Sequence, residues 1–220
     1  MLEVWGRRSS ANVQKVMWLI GELKLDHRHI QAGGPYSKLD APEFLALNPN
    51  GLVPVIRDAG LVVWESSAIV RYIAARHGPE RFWPEEPRVR AHIDQWIDWA
   101  GTTFQPNMFG MFWSYWRTPE DQRNWEAIGN FMKGTERCVQ MLDTALAKAP
   151  FLVGDDLTLA DIVNGVHFFR YFSMGIYEST KKDYPQIPHV RAWYERLQKR
   201  PAYRQHVMVS YDELRGKLAF

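Results

Sequence analysis

Leu47-Asn48-Pro49-Asn50-Gly51-Leu52-Val53-Pro54-Val55-Ile56, followed by Glu65-Ser66-Ser67-Ala68-Ile69 at the head of an apolar helix, decides the reading of this chain. Asn, Pro and Gly in succession make a turn, each for its own backbone reason, and the turn feeds a strand that opens with Val53-Pro54. Proline gives no N–H to a ladder, so its neighbour is expected to keep free backbone groups at a sheet edge, open to a ligand's own amides. Glu65 offers an acceptor for an ammonium group. Ser66 adds a hydroxyl beside the unpaired N–H groups of a helix N-terminus, where a carboxylate is favoured. Together they describe a site for a small peptide-like anion with amides, an α-amine and a carboxylate.

Working outward, the first 78 residues alternate strand and helix signals. Residues 2 to 5 read as a strand; Val13, Val16, Met17, Ile20 and Leu23 keep helical spacing; His27 to Ile30 reads as a second strand; Pro42 to Leu47 supports a short helix. Val53 to Arg57 and Leu61 to Trp64 form a hairpin across Asp58-Ala59-Gly60, and Ser66 to His77 is a helix with Ala68, Ile69, Tyr72 and Ile73 inward. The order β-α-β-α-β-β-α is that of a thioredoxin-like α/β domain. Residues 79 to 87, rich in Pro and Glu, form a rigid polar linker. Residues 88 to 220 show no strand: 88 to 116, 119 to 148, 158 to 174 and 188 to 199 carry helical patterns, which predicts an all-α helical bundle. Thr158-Leu159-Ala160-Asp161 fits a capping box, with Leu157 and Ile162 as its hydrophobic staple.

Composition narrows the function further. Apolar residues make up 46% of the 220 and charged ones 24%, so the chain can bury a large core, and a net charge of +2 gives no reason to expect nucleic acid or an acidic membrane as partner. No run reaches the roughly 18 apolar residues of a membrane span, and Met1-Leu2-Glu3-Val4-Trp5 lacks the layout of a signal peptide, so a cytoplasmic location is expected. The single cysteine, Cys138, excludes an internal disulfide or a Cys-x-x-Cys site, and its apolar helical neighbours mark it as a packing thiol. His27 and His29 share a strand face with no third ligand in sight, so no metal is expected.

The two opening motifs resemble the glutathione transferase family, in which Asn-Pro-x-Gly-x-Val-Pro and Glu-Ser-x-Ala-Ile form most of the glutathione pocket. A third family signature, Gly154-Asp155-Asp156-Leu157-Thr158-Leu159-Ala160-Asp161-Ile162, follows further along, so the resemblance spans the chain. It implies glutathione as co-substrate, held by the Val53 backbone, Glu65 and Ser66, with the Val53–Pro54 bond cis. Lys38 and Asn50 are the candidates for the glycyl carboxylate, since Leu52 stands where the family often has glutamine or lysine. It also implies a homodimer, a small apolar electrophile as second substrate, and chemistry of the kind used in detoxification.

In this family the group that hydrogen-bonds the glutathione sulfur lies at the start of the first helix. Here that region reads Arg7-Arg8-Ser9-Ser10-Ala11-Asn12-Val13-Gln14, without tyrosine or cysteine, so the chain resembles the serine-type classes with Ser10 in the catalytic place. Asn12 stays open as the alternative, because Ser-x-Asn also resembles a bacterial Thr-x-Asn subgroup and an amide donates as a hydroxyl does. A free thiol of pKa about 8.5 is only about 3% thiolate at neutral pH, and a hydrogen bond to a charged group, worth roughly 1.5–3 kcal/mol, would lower that pKa by about one to two units. Gln105, Met108, Phe109 and Phe112 share one helical face in the region that builds the family's second-substrate pocket. Two other functions compete with conjugation: glutathione-dependent disulfide or peroxide reduction, and non-catalytic binding of glutathione or an apolar ligand.

Overall fold

The computed structural model describes residues 1–36 and 39–218. They divide into two compact units, one comprising Met1–Glu85 with Arg200–Ser210 and the other Glu86–Lys199 with Tyr211–Leu218.

The first unit is built on β1 (Leu2–Trp5), α1 (Ala11–Leu23), β2 (His27–Ile30), α2 (Pro42–Leu45), β3 (Val55–Asp58), β4 (Leu61–Trp64) and α3 (Ser66–His77). The strands form one mixed sheet in the order β2-β1-β3-β4, with β2 parallel to β1 and the other two pairings antiparallel. This is the thioredoxin-like arrangement. Two expectations need correction. β3 begins at Val55 and is flanked on both sides, so Val53 lies at the end of an interior strand and not along a lateral edge. Pro54 lacks the N–H that a ladder residue donates, which keeps the pairing from extending back to it. On α3 the buried face is Ser66, Ile69, Val70, Ile73 and Ala74, and Ala68 is exposed. An alanine costs little on either side of a helix, so the bulkier aliphatics set its rotation.

α1 is apolar nearly all round, and Val13, Val16, Met17, Trp18, Leu19 and Ile20 are all buried. A helix of this kind must be covered on every side. α11 (Pro201–His206) packs on its later turns, where the Trp18 and Tyr203 rings meet edge to face at 4.7 Å. The Arg200 guanidinium donates twice to the Glu22 carboxylate, at 2.8 and 2.7 Å. These contacts explain why Arg200–Ser210, read in the sequence as part of a helical stretch 88–220, sits with the α/β unit.

The second unit is helical. α4 (Pro87–Trp99) and α5 (Gln105–Phe112) are joined by one π-helical turn, Ala100–Phe104, and a second, Trp113–Arg117, follows. After them come α6 (Trp125–Leu146), α7 (Leu159–Gly165), α8 (Phe168–Ser173), α9 (Ile176–Thr180) and α10 (Pro188–Gln198). α5 and α6 pack closely through glycines: a Cβ on Gly110 would lie inside the Phe131 ring, and one on Gly134 inside the Asn107 amide. Phe168 joins the aromatic core, 5.1 Å from Trp193 and 5.8 Å from Phe104 between ring centroids. At the head of α7 the Asp161 carboxylate accepts the Thr158 N–H and hydroxyl, completing the expected cap, and also the Leu152 N–H and the Trp193 indole N–H. No described helix is long and apolar enough to cross a membrane.

Candidate functional site

The turn that opens the site is organised by its first residue, which the sequence reading named only as part of the turn. Asn48 is 2% exposed; its Oδ1 accepts the Asn50 backbone N–H and side-chain amide, each at 3.0 Å, and its Nδ2 donates to the Leu52 carbonyl at 2.8 Å. With the Gly51 N–H donating to the Asn48 carbonyl at 3.0 Å, this is an Asx-turn over a β-turn, with asparagine first and proline second. Gly51 takes φ +62°, and a Cβ there would stand 3.1 Å from the Leu39 carbonyl oxygen, so glycine fits twice over. The signal was legible in Asn48-Pro49-Asn50-Gly51, but it marks Asn48 as the organiser and engages Asn50 with it. Lys38 lies outside the described residues.

The turn delivers Val53 to the β1–α1 connection. Gly6 sits there at φ +152°, where an added Cβ would lie 2.3 Å from Val13 and 3.3 Å from Val53, so the close approach of three segments depends on its lacking one. The Val53–Pro54 bond is cis, as the resemblance implied. Leu52 is 59% exposed and offers no polar group.

Ser10 occupies the N-cap position of α1 with extended backbone, its carbonyl accepting the Gln14 N–H at 2.9 Å. Its hydroxyl makes no capping hydrogen bond and is half-buried. Serine at this position ordinarily caps the helix. Here the hydroxyl is left for another acceptor. Gln14 instead secures the loop, its amide donating to the Arg8 carbonyl at 3.1 Å.

Glu65 stands at the N-cap of α3 with φ +69°, a left-handed conformation that a non-glycine residue adopts only under constraint. Its side chain is exposed, while Ser66 behind it is 6% exposed. The Ile69 N–H is the first to bond back to Glu65, which leaves the amides of Ser66, Ser67 and Ala68 at the helix head outside the α-helical ladder. The two helix heads are joined directly: the Ser66 hydroxyl donates to Asn12 Oδ1 at 3.4 Å, and Lys15 Nζ donates to the same oxygen at 3.0 Å. Lys15, also missed in the sequence, is 1% exposed. Burial pushes its ammonium down to about 7 against the opposing pull of Glu65. The run of apolar residues around it was the available sign, since anything inside such a helix is buried with it.

The remaining candidates separate. Gln105, Met108, Phe109 and Phe112 all lie on α5. Met108 and Phe112 are core residues of their own unit, 1% and 6% exposed, with Phe112 edge-on to Tyr211 and under the Arg170 guanidinium. Gln105 and Phe109 are half-buried, Phe109 against the His167 ring at 5.6 Å. The predicted face is therefore used in part for internal packing, because large apolar side chains in a bundle satisfy one another first. Cys138 is buried on α6 and its thiol is pushed up by burial. His29 Nε2 is hydrogen-bonded to the Gly6 carbonyl at 2.7 Å and His27 Nδ1 to that of Leu25 at 2.9 Å. With His206, Arg8 and three glutamines they line a cleft of about 320 Å³ that none of Val53, Glu65 and Ser66 enters. No group of three side chains able to hold a metal occurs among the described residues.

Comparison with known proteins gives a consistent picture. The family model for the glutathione S-transferase N-terminal domain matches residues 9–76, and that for the C-terminal domain matches residues 104–201. The chain is 37% identical to the glutathione S-transferase GstB of Escherichia coli over 95% of this chain and 99% of that protein. It superimposes with a TM-score of 0.89 on a theta class glutathione S-transferase from Xanthomonas axonopodis pv. citri solved with glutathione bound, at 39% identity over 95% of this chain and 98% of the other. Glutathione transferase F7 from Populus trichocarpa, 21% identical, shares the fold with a TM-score of 0.80 over 96% of this chain and all of that one.

Proposed function

Since the chain belongs to the glutathione S-transferase family, we propose that it binds glutathione on its α/β unit and activates the thiol for attack on an apolar electrophile. One observation carries the reading: the Asn12–Ser66 hydrogen bond joins the heads of α1 and α3, so that Ser10 and the Glu65-Ser66 pair belong to one locus. In this reading Glu65 accepts the γ-glutamyl ammonium. The amides at the head of α3, that of Ser66 among them, receive the α-carboxylate, which the helix macrodipole favours there, while the Ser66 hydroxyl stays on Asn12. The backbone of Val53, set beside Pro54, pairs with the cysteinyl amide. Asn50 and Lys38 are the candidates for the glycyl carboxylate.

The reaction then needs little from the protein beyond a thiolate. The Ser10 hydroxyl donates a hydrogen bond to sulfur, which favours the thiolate over the thiol, and the released proton passes to solvent. Sulfur forms a bond to the electrophilic carbon, and the displaced group leaves with its electron pair. Ser10 acts as a donor throughout and never as a base. Kinship with named transferases at 37% identity along nearly the whole chain favours conjugation over disulfide reduction or passive binding. We place the enzyme in the cytoplasm, as a homodimer, with the half-buried Gln105 and Phe109 on the second-substrate side.

The test is retention on immobilised glutathione. Glu65→Ala combined with Ser66→Ala is expected to abolish it, with folding followed by far-UV circular dichroism. A folded double variant that elutes with the wild type would remove the assignment.

A further inference from the structure

Among the described residues Lys15 is the only buried lysine. A lysine is almost never fully buried unless paired, because losing water around an ammonium is costly. Packing does not ask for a cation at this point of α1, where Val13, Val16, Leu19 and Ile20 are apolar. The ammonium is instead spent on the site. Nζ donates to Asn12 Oδ1 at 3.0 Å, that oxygen also accepts from Ser66, and Glu65 acts on the ammonium electrostatically.

We propose that Lys15 is a positioning residue for glutathione, the charge that orients the Asn12 amide and holds the Glu65 carboxylate for the γ-glutamyl group. This rests on the site reading given above. Two donors converging on Oδ1 fix which end of the Asn12 amide faces inward and leave Nδ2, a pure donor, to face the ligand. The Lys15 charge attracts the Glu65 carboxylate, the group that an incoming ammonium would pair with. Glu65 comes from the head of α3; α11 meets α1 further on, at Trp18 and Gly21, where it brings Tyr203 and His206, while its Arg204 is exposed. Burial places the titration of Lys15 at about 7, so its charge is present below neutral pH and lost above it.

The experiment is calorimetric titration with S-methylglutathione, whose thioether cannot ionise. Affinity of the wild type is expected to fall about tenfold as pH rises from about 6 to about 8.5, the span over which a group of pKa near 7 loses its proton. At the upper pH, binding should take up a proton, read from the dependence of heat on buffer ionisation. Lys15→Arg, charged throughout, should lessen both the fall and the uptake to the part owed to the ligand's own amine. Lys15→Met should bind weakly at every pH. Titration of the ligand's own amine is common to all three proteins, so the differences between them report on Lys15. A wild type that takes up no proton, a Lys15→Arg variant that keeps the wild-type fall, or a folded Lys15→Met variant with wild-type affinity would each overturn the proposal while leaving the site in place. If the wild type does not bind S-methylglutathione at all, the site reading fails and takes this inference with it.

Discussion

Ser10 and Asn12 are two residues apart in sequence yet serve different surroundings. Positions separated by two do not face one another on a helix, and Asn12 already turns its Oδ1 toward Lys15 and Ser66. Ser10 escapes that constraint because it precedes the helix in extended conformation, with its hydroxyl uncommitted. The geometry therefore favours Ser10 as the principal donor to sulfur and Asn12 as a contributor through Nδ2 alone. Ser10→Ala is expected to raise the pKa of bound glutathione by about one unit or more, since one charge-assisted hydrogen bond is worth roughly 1.5–3 kcal/mol and each pKa unit about 1.36 kcal/mol. The sign fixes the pH dependence: conjugation slows most at neutral pH, where the thiolate fraction shrinks, and recovers at high pH. Thiolate absorbance titrated in Ser10→Ala and Asn12→Ala decides between the two residues. A larger shift in the asparagine variant would reverse the assignment, and no shift in either would hand the thiolate to backbone amides or to Arg7 and Arg8.

At the scale of elements, β1, β2, β4 and α3 fall where alternation and helical spacing predict, because each carries its own local signal. The reading slipped at element boundaries. The helix expected from residue 119 begins at Trp125, capped by the Asn124 side chain on the Ala127 N–H at 3.0 Å, and the stretch 158–174 divides into α7 and α8 around Val166 and His167. Of the candidate site, Ser10, Val53, Glu65 and Ser66 were legible as motif positions and Asn48 as the first residue of its turn, whereas Lys15 is tied to Glu65, a partner that sequence spacing does not display. Asp161 shows the same limit, since its cap was readable but the donors from Leu152 and Trp193 were not. Burial drives its carboxyl up to about 6, while four donors favour the ionised form. Asp161→Ala should leave buried N–H groups without an acceptor, each costing about 1–3 kcal/mol, so a loss of several kcal/mol is expected. Urea unfolding checks it: a midpoint within error of the wild type would show the network to be dispensable, and glutathione affinity of the folded fraction should hold.

For the whole molecule, the open question with physical content is what covers β4. It is an edge strand, since the sheet order ends there, and its first and last residues, Leu61 and Trp64, are 49% and 40% exposed. Sheet edges bearing large apolar side chains are a liability that folded proteins bury, charge or shield. Here no charge interrupts Leu61-Val62-Val63-Trp64. A second copy of the chain is the occupant that the family resemblance implies, the α/β unit of one subunit against the helical unit of the other. A homodimer at micromolar concentration is accordingly expected, with light scattering giving twice the chain mass. Trp64→Glu sets a charge on that edge at an already exposed position, so it should leave the monomer fold intact while weakening association. Two results would tell against β4 as the covered face: a wild type that scatters as a monomer, or a folded Trp64→Glu variant that dimerises as tightly as the wild type. Glutathione retention measured on the same variant separates the roles, because Glu65 is its chain neighbour: a monomer that still binds glutathione would show that each α/β unit carries a complete glutathione site by itself.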